Sequence, residues 1–371
     1  MSRGHDPPAG KVRAAEAVVV HDYFTQQGGA ERVALAIRGA LPGNRLVTSV
    51  YDAAGTFPEV ADYDVSISSL QEAPKLWKDP RLALPFLPRV FDHLRVDGAD
   101  VVVCSSTGWA HGVPARVPKV VYCHNPPRWL YQRDDFLRGQ PPGVSTALNL
   151  LTPRLRRWDL KAARSAVRYL VNSSIVRDRV RAAYEIDAAV LPPPVCIDPT
   201  GPQQPVLGLD PGFFLTVGRP RGYKNIEVTC RAFLDLPDER LVVVGGLPSG
   251  DWPDRITGLA NLPDAQLRWL YASCEATISV AHEDFGLSPV EGYALGRPAL
   301  CLRAGGFLDS LAEGASGWYV EELTPEAVVD AVGKLRSNPI DPRDVLAHAE
   351  RYSLDRFGRE LRAHVDAVLT G

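Results

Sequence analysis

Short runs of apolar, mostly β-branched residues recur along the chain, each followed by a longer stretch with helical spacing. In the first half the runs are Ala17 to His21, Arg45 to Val50, Val65 to Ser69, Val101 to Ser105, Lys119 to His124, Tyr169 to Asn172 and Ala189 to Leu191. Most are apolar at successive positions. Such strands are covered on both faces, as in a parallel sheet flanked by helices. The βαβα order predicts a doubly wound α/β domain. From Leu191 to Pro202 the chain then places five prolines in twelve residues. That stretch suits neither a helix interior nor a central strand, so it marks a domain boundary. The alternation restarts at Phe213 to Val217, Arg240 to Val244, Ala276 to Val280 and Pro298 to Leu302, predicting a second α/β domain. The pattern divides the chain into a disordered lead-in over 1–15, an N-terminal domain over 16–198, a C-terminal domain over 199–351 and an amphipathic terminal helix within 352–371.

Composition narrows the class. A chain of 371 residues exceeds one ordinary core. Its 45% hydrophobic and 23% charged residues are those of a soluble globular protein. A net charge of -3 does not call for nucleic acid as a partner. No apolar run approaches the roughly 20 residues of a membrane span, and the lead-in lacks the apolar centre of a signal peptide. The expected location is cytoplasmic. The six cysteines (Cys104, Cys123, Cys196, Cys230, Cys274, Cys301) are scattered without a C-x-x-C pair, which indicates neither a zinc site nor a disulfide framework. No cofactor and no metal are expected.

Two tandem domains of this class form a cleft between the C-terminal edges of their strands, where ligands bind. Four segments sit just after strands. The first runs from His21-Asp22-Tyr23 to Gly28-Gly29-Ala30-Glu31-Arg32, with a helix from near Gly29 to about Leu41. The glycine pair allows close backbone approach, and the helix start offers free N–H groups to an anion; an ordinary strand–helix turn is the competing reading. The segment is not a G-x-G-x-x-G fingerprint, which weakens a nicotinamide reading. The second, Tyr122 to Trp129, delivers His124 to a strand end, where it can bond a sugar hydroxyl or phosphate, or serve structure alone. The third, Gly218 to Asn225, holds Arg219 and Lys224. Such cations suit a diphosphate leaving group, whose negative charge grows as its bond breaks; a solvated basic loop is the alternative. The fourth runs from His282 to Ala294. There Glu283 is expected to end a strand, and Pro289 fits the first turn of a new helix. The backbone of Phe285, Gly286 and Leu287 is expected to present N–H groups, with Glu291 about one turn further in. Two carboxylates so placed can take sugar and ribose hydroxyls.

Glu283 and Glu291 form an E-x7-E signature. With the Gly-Gly-Ala-Glu-Arg loop, Asn172-Ser173-Ser174, the proline-rich linker, Gly218-Arg219 with Lys224, and Gly305-Gly306, the chain resembles the retaining glycosyltransferases of family 4, which have the GT-B fold. The resemblance spans His21 to about Phe357. It implies a metal-independent transferase whose donor is a nucleotide sugar. Arg219 and Lys224 would bind the pyrophosphate, helped by Gly28 and Gly29. Glu283 would contact the transferred sugar and Glu291 the ribose. Phe285, Gly286 and Leu287 would supply backbone contacts, and His124 would sit near the sugar's reacting face. The His124-Asn125-Pro126-Pro127-Arg128-Trp129 loop resembles a branch that moves mannose from GDP-mannose to surface polysaccharide or lipid-linked acceptors. Departures stand at Pro220-Arg221 after Arg219, at Asn125, at Gly292-Tyr293, and at Asp309 in place of a usual Glu.

The acceptor is a glycan, a lipid-linked sugar or a small molecule; its loops carry little signal. From Pro153 to Arg168 basic residues surround Trp158 and Leu160. Such a helix can lie on anionic lipid at the inner membrane face, or be a solvated face over packed Leu and Ala. Trp77, Trp109 and Trp129 suit sugar stacking or core packing equally. Two other functions compete: a sugar-nucleotide epimerase of the same fold, and a degenerate subunit that binds a partner glycosyltransferase.

Overall fold

A computed structural model describes residues 15–78, 83–132, 144–218 and 224–371. The expected lead-in falls almost wholly outside them, as does Arg219. In the first half, β1 (Ala17–His21), β2 (Arg45–Thr48), β3 (Asp64–Ile67), β4 (Val101–Ser106), β5 (Lys119–Cys123), β6 (Arg168–Val171) and β7 (Ala189–Val190) form one sheet in the order β3-β2-β1-β4-β5-β6-β7. All pairs are parallel. Strands β1, β4 and β5 are buried at every position, which is why they read as unbroken apolar runs.

In the second half, β8 (Phe213–Val217), β9 (Leu241–Val244), β10 (Ile256–Leu259), β11 (Cys274–Ser279), β12 (Ala299–Leu302) and β13 (Gly317–Val320) form another parallel sheet, ordered β10-β9-β8-β11-β12-β13. Strand order reverses beside β1 in one sheet and beside β8 in the other. Ligands of doubly wound folds bind at such switch points. The two edge strands, β10 and β13, have no counterpart in the expected elements. Ile256–Leu259 carries a central glycine and is only partly covered, and Gly317–Val320 opens on glycine.

The helices that matter for the site are α1 (Gly29–Ala40), α2 (Val144–Ala163), α3 (Ser174–Tyr184), α4 (Asp264–Ser273), α5 (Leu287–Tyr293) and α6 (Leu354–Thr370). Helix α6 follows the C-terminal sheet in sequence yet packs on the N-terminal lobe. Its Phe357, Leu361 and Val365 share a core with Val33 and Ile37 of α1. The two segments that cross between lobes touch each other, with Val195 N donating to Tyr352 O at 2.8 Å.

Helix α2 starts earlier than the expected basic helix and carries Pro153 inside it. A buried polar line anchors it. Ser106 Oγ lies 2.8 Å from His111 Nδ1, His111 pairs with Asp159 at 3.0 Å, and Tyr131 OH donates to Asp159 at 2.8 Å. Ser106, His111 and Asp159 are each at most 2% exposed, so this Ser–His–Asp line has no solvent access and serves architecture. Core packing also accounts for Trp109 and Trp129: Trp109 stacks on Trp129 at 4.9 Å and sits 5.6 Å from Trp158. The six cysteines are free, and all but Cys196 are buried. Among the described residues no helix is long and apolar enough to cross a membrane, and no cluster of His, Cys, Asp and Glu is arranged to hold a metal.

Candidate active site

The N-terminal wall is built from three neighbouring strand ends. Register places His21 beside Ser105 and Ser105 beside Tyr122, so His124 follows immediately beyond β5. His21 Nδ1 lies 3.1 Å from Ser105 O and 3.0 Å from Ser105 Oγ. Ser105 Oγ lies 2.8 Å from His124 Nε2. Burial pushes both imidazoles down to about 4, although Asp22 pulls His21 back up in part. Both rings are therefore neutral at pH 7. Asp22 itself is an anchor: its carboxylate accepts from Thr107 N at 2.7 Å, Thr107 Oγ1 at 2.5 Å, Trp109 N at 3.2 Å and Ala110 N at 2.5 Å. Four donors on one buried carboxylate fix the turn after β4.

The expected backbone cradle forms from both lobes. Gly28 caps α1 and, being glycine, offers no side-chain oxygen to the N–H groups at the helix start. A Cβ on Gly29 would lie 2.8 Å from Leu287 Cδ1, so the starts of α1 and α5 meet closely there. Gly286 adopts φ +91°, and a Cβ there would enter the Phe307 ring at 2.2 Å. Beneath this loop lies Gly305-Gly306. Gly306 N donates to Glu283 O at 2.9 Å, and a Cβ on Gly306 would stand 2.3 Å from Phe285 Cα. The Phe285 side chain is core, edge-on to Tyr352 at 5.7 Å, which leaves its backbone for ligand contact.

Glu283 does not end a strand. β11 stops at Ser279, and Glu283 stands in the loop that follows. The Val280 carbonyl there accepts from Asn225 Nδ2 at 3.0 Å instead of continuing the ladder. Lys224 Nζ donates to Glu283 Oε1, joining two of the expected site residues in a half-buried ion pair. Pro289 lies within the first turn of α5, as its missing N–H allows. Glu291 accepts from Tyr271 OH at 2.6 Å, and the same hydroxyl lies 3.1 Å from Ser288 Oγ. Burial raises the Glu291 carboxyl above its ordinary range, against the pull of the Tyr271 bond and the Arg32 charge. Arg32, from α1, reaches Asp264 of the other lobe at 3.1 Å and covers Phe57 at 3.9 Å.

Several contacts between the lobes join residues whose pairing the sequence does not show. Asp284 takes Arg179 at 2.5 Å on one oxygen and Arg128 at 2.6 Å on the other. Ser173 Oγ donates to the Asp284 carbonyl. Asp309 accepts from Ser174 N at 2.6 Å and Ser174 Oγ at 2.9 Å. All five contacts join the lobes, those of Ser173 and Ser174 at the N-terminus of α3. Asn172 Nδ2 donates to His124 O at 3.0 Å and ties that latch to the wall carrying His124. The structure thus brings together Gly28, Gly29, Leu287, Glu283, Lys224 and Glu291, with His124 on the facing wall.

Comparison with known proteins agrees with this fold. The sequence model of Glycosyltransferase Family 4 matches residues 27–198, and that of Glycosyl transferases group 1 matches residues 199–352. The chain is 32% identical over 173 residues to a D-inositol 3-phosphate glycosyltransferase of Corynebacterium urealyticum, covering 39% of this chain and 40% of that protein. It is 27% identical over 105 residues to the alpha-1,3/1,6-mannosyltransferase ALG2 of Dictyostelium discoideum, covering 28% and 25%. The match thus spans about two fifths or less of these relatives' length. Among solved structures, Anabaena HepE in complex with UDP-glucose superposes with a TM-score of 0.66 at 16% identity, over 95% of this chain and 99% of that one. One glycosyltransferase model matches the N-terminal lobe and another the C-terminal lobe, on a shared fold; the chain belongs to the GT-B glycosyltransferases of the family 4 type.

Proposed function

We propose that the protein is a retaining, metal-independent hexosyltransferase that moves mannose from GDP-mannose to a glycan, lipid-linked or small-molecule acceptor in the cytoplasm. One observation carries the reading: the Lys224–Glu283 pair stands beside the cradle formed by Gly29 and Leu287, with Glu291 one turn further along α5. A nucleotide sugar satisfies each member of this set. Its diphosphate takes Lys224 and Arg219, its hexose hydroxyls take Glu283, and its ribose hydroxyls take Glu291. As the anomeric bond breaks, negative charge grows on the leaving phosphate, where the fixed cation and helix-start N–H groups oppose it best. The acceptor attacks the same face that the leaving group vacates, and the donor phosphate takes its proton. No side chain acts as nucleophile. Neutral His124 donates a hydrogen bond to the hexose.

The choice of mannose follows the His124-Asn125-Pro126-Pro127-Arg128-Trp129 loop and the likeness to a named mannosyltransferase. For a lipid-linked acceptor, the N-terminal lobe offers a basic surface. Arg157, Leu160, Lys161, Arg164 and Ser165 line an open depression on and beside α2, and Leu150 nearby is 80% exposed. Such a face suits anionic lipid at the inner side of a membrane.

A thermal-shift panel of GDP, UDP, ADP and TDP with their common sugars, run in EDTA, tests the proposal. A rise in melting temperature with GDP and GDP-mannose is expected by mass action. A rise confined to another nucleotide replaces the donor. No rise with any nucleotide refutes the transferase reading, and near wild-type turnover in Glu283→Ala would overturn the hydroxyl-binding role of Glu283.

A further inference from the structure

The buried line His21–Ser105–His124 fixes which nitrogen of His124 carries the proton. His21 Nδ1 faces the Ser105 carbonyl at 3.1 Å as well as the Ser105 hydroxyl at 3.0 Å. A carbonyl only accepts, so His21 Nδ1 must be the protonated nitrogen, and it donates to both oxygens. The Ser105 hydroxyl has a single proton. Besides His21, His124 Nε2 at 2.8 Å is the one partner of this hydroxyl among the described residues; a Ser105 hydroxyl that accepted from both rings would leave its own proton buried and unpaired, so that proton points to His124 Nε2. His124 Nε2 is then an acceptor, and a neutral imidazole with an accepting Nε2 carries its proton on Nδ1. The opposite arrangement would set a bare His21 Nδ1 lone pair against the carbonyl lone pairs. That repulsion inside a buried site costs more than the hydrogen bond returns.

The rest of the surroundings hold the line rigid. His21 and Ser105 are 1% and 0% exposed, and His124 is 8% exposed. Phe24 packs on His21 at 4.7 Å, and Tyr122 packs edge-on to His124 at 5.2 Å. Asn172 pins the His124 carbonyl at 3.0 Å. Among the described residues His124 Nδ1 has no hydrogen-bond partner, so its N–H is left for a ligand.

We propose that His21 and Ser105 are positioning residues that lock His124 in its Nδ1–H tautomer, so that it meets the donor sugar as a hydrogen-bond donor and not as a base. The tautomer follows from the ligand-free geometry; only the identity of the group it meets rests on the transferase reading above. Strand β1 thereby acts on the sugar without touching it, and Ser105, which no sequence motif marks, sets the chemistry of the residue that does.

The test uses the full chain with 15N-labelled histidine. Long-range 1H–15N correlation spectra distinguish a protonated from a bare ring nitrogen, and the His124 signals are identified by their absence in His124→Gln. The wild-type protein is expected to show His124 protonated on Nδ1 and bare on Nε2 at pH 7. Ser105→Ala should shift His124 towards the Nε2–H form and lower kcat for GDP-mannose turnover about tenfold, while GDP affinity stays unchanged. Ser105→Thr, which keeps the hydroxyl, should restore both the spectrum and the rate. A wild-type His124 protonated on Nε2 overturns the proposal, and this result needs no variant to fold. Unchanged tautomer and unchanged kcat in Ser105→Ala also overturn it. Failure of the wild-type chain to bind any nucleotide sinks the transferase reading and leaves the tautomer assignment to be judged by the spectrum alone.

Discussion

Asp284→Asn should loosen the closed cleft. Asp284 is the only described carboxylate that receives two arginines from the opposite lobe, Arg128 at 2.6 Å and Arg179 at 2.5 Å. The side chains are 33%, 28% and 19% exposed for Arg128, Arg179 and Asp284. Exposed pairs contribute at most about 1 kcal/mol, and breaking a buried pair costs about 3–5 kcal/mol. Pairs of intermediate exposure fall near 1–2 kcal/mol each after solvent screening. Asparagine keeps the shape and one accepting oxygen, so part of this survives. A net loss of about 2 kcal/mol lowers the closed-to-open ratio roughly 30-fold. Small-angle scattering of the ligand-free protein reads this directly, as a larger radius of gyration than wild type. Asp264→Asn is the matched control: its Arg32 contact also joins the lobes, but Asp264 is 58% exposed, so its loss should leave scattering almost unchanged. Superimposable curves for wild type and Asp284→Asn, together with equal nucleotide affinity, would refute the view that this carboxylate holds the lobes together.

Two further outcomes follow from buried groups. His21 and His124 titrate near 4 in the folded chain against an ordinary 6.5, so between those pH values the unfolded chain binds more protons and stability falls as pH falls. The loss approaches about 3 kcal/mol per histidine by pH 4; urea unfolding at pH 7 and pH 4.5 should show it, and an equal pH dependence in a His21→Gln, His124→Gln double variant would contradict it. Tyr271→Phe removes the donor to Glu291 and should weaken GDP binding about tenfold with kcat little changed, measured by calorimetry and donor kinetics; unaltered affinity would detach Tyr271 from the ribose site.

Legibility in the sequence followed burial. Strands β1 and β8 occupy the expected residues because central parallel strands are apolar throughout. Edge strands β10 and β13 lack that signal, since one side of each meets no neighbouring strand. The E-x7-E segment was legible as a pattern, but Glu283 stands in the loop beyond β11, past the Val280 carbonyl that accepts from Asn225. Partners distant in sequence left no local trace. Asp284 meets side chains 105 and 156 positions away, and Ser105 acquires meaning only when register sets it beside His21. Asp309, a departure from the family pattern, proves to bind the start of α3. Arg219 lies outside the described residues, so its expected diphosphate role rests on the resemblance.

The return of α6 to the N-terminal lobe has a consequence for how the chain is made. Phe357, Leu361 and Val365 complete a core whose other members include Val19, Val33 and Ile37. During synthesis those earlier side chains leave the ribosome first, and at 5–20 residues per second the interval from Leu191 to Leu354 takes roughly 10–30 s. Through that interval the α1 face of the first lobe is bare of its final cover. The first lobe therefore matures only after the second has been synthesised, and a nascent chain halted between the two would present a sticky apolar face, a natural point for chaperone attention.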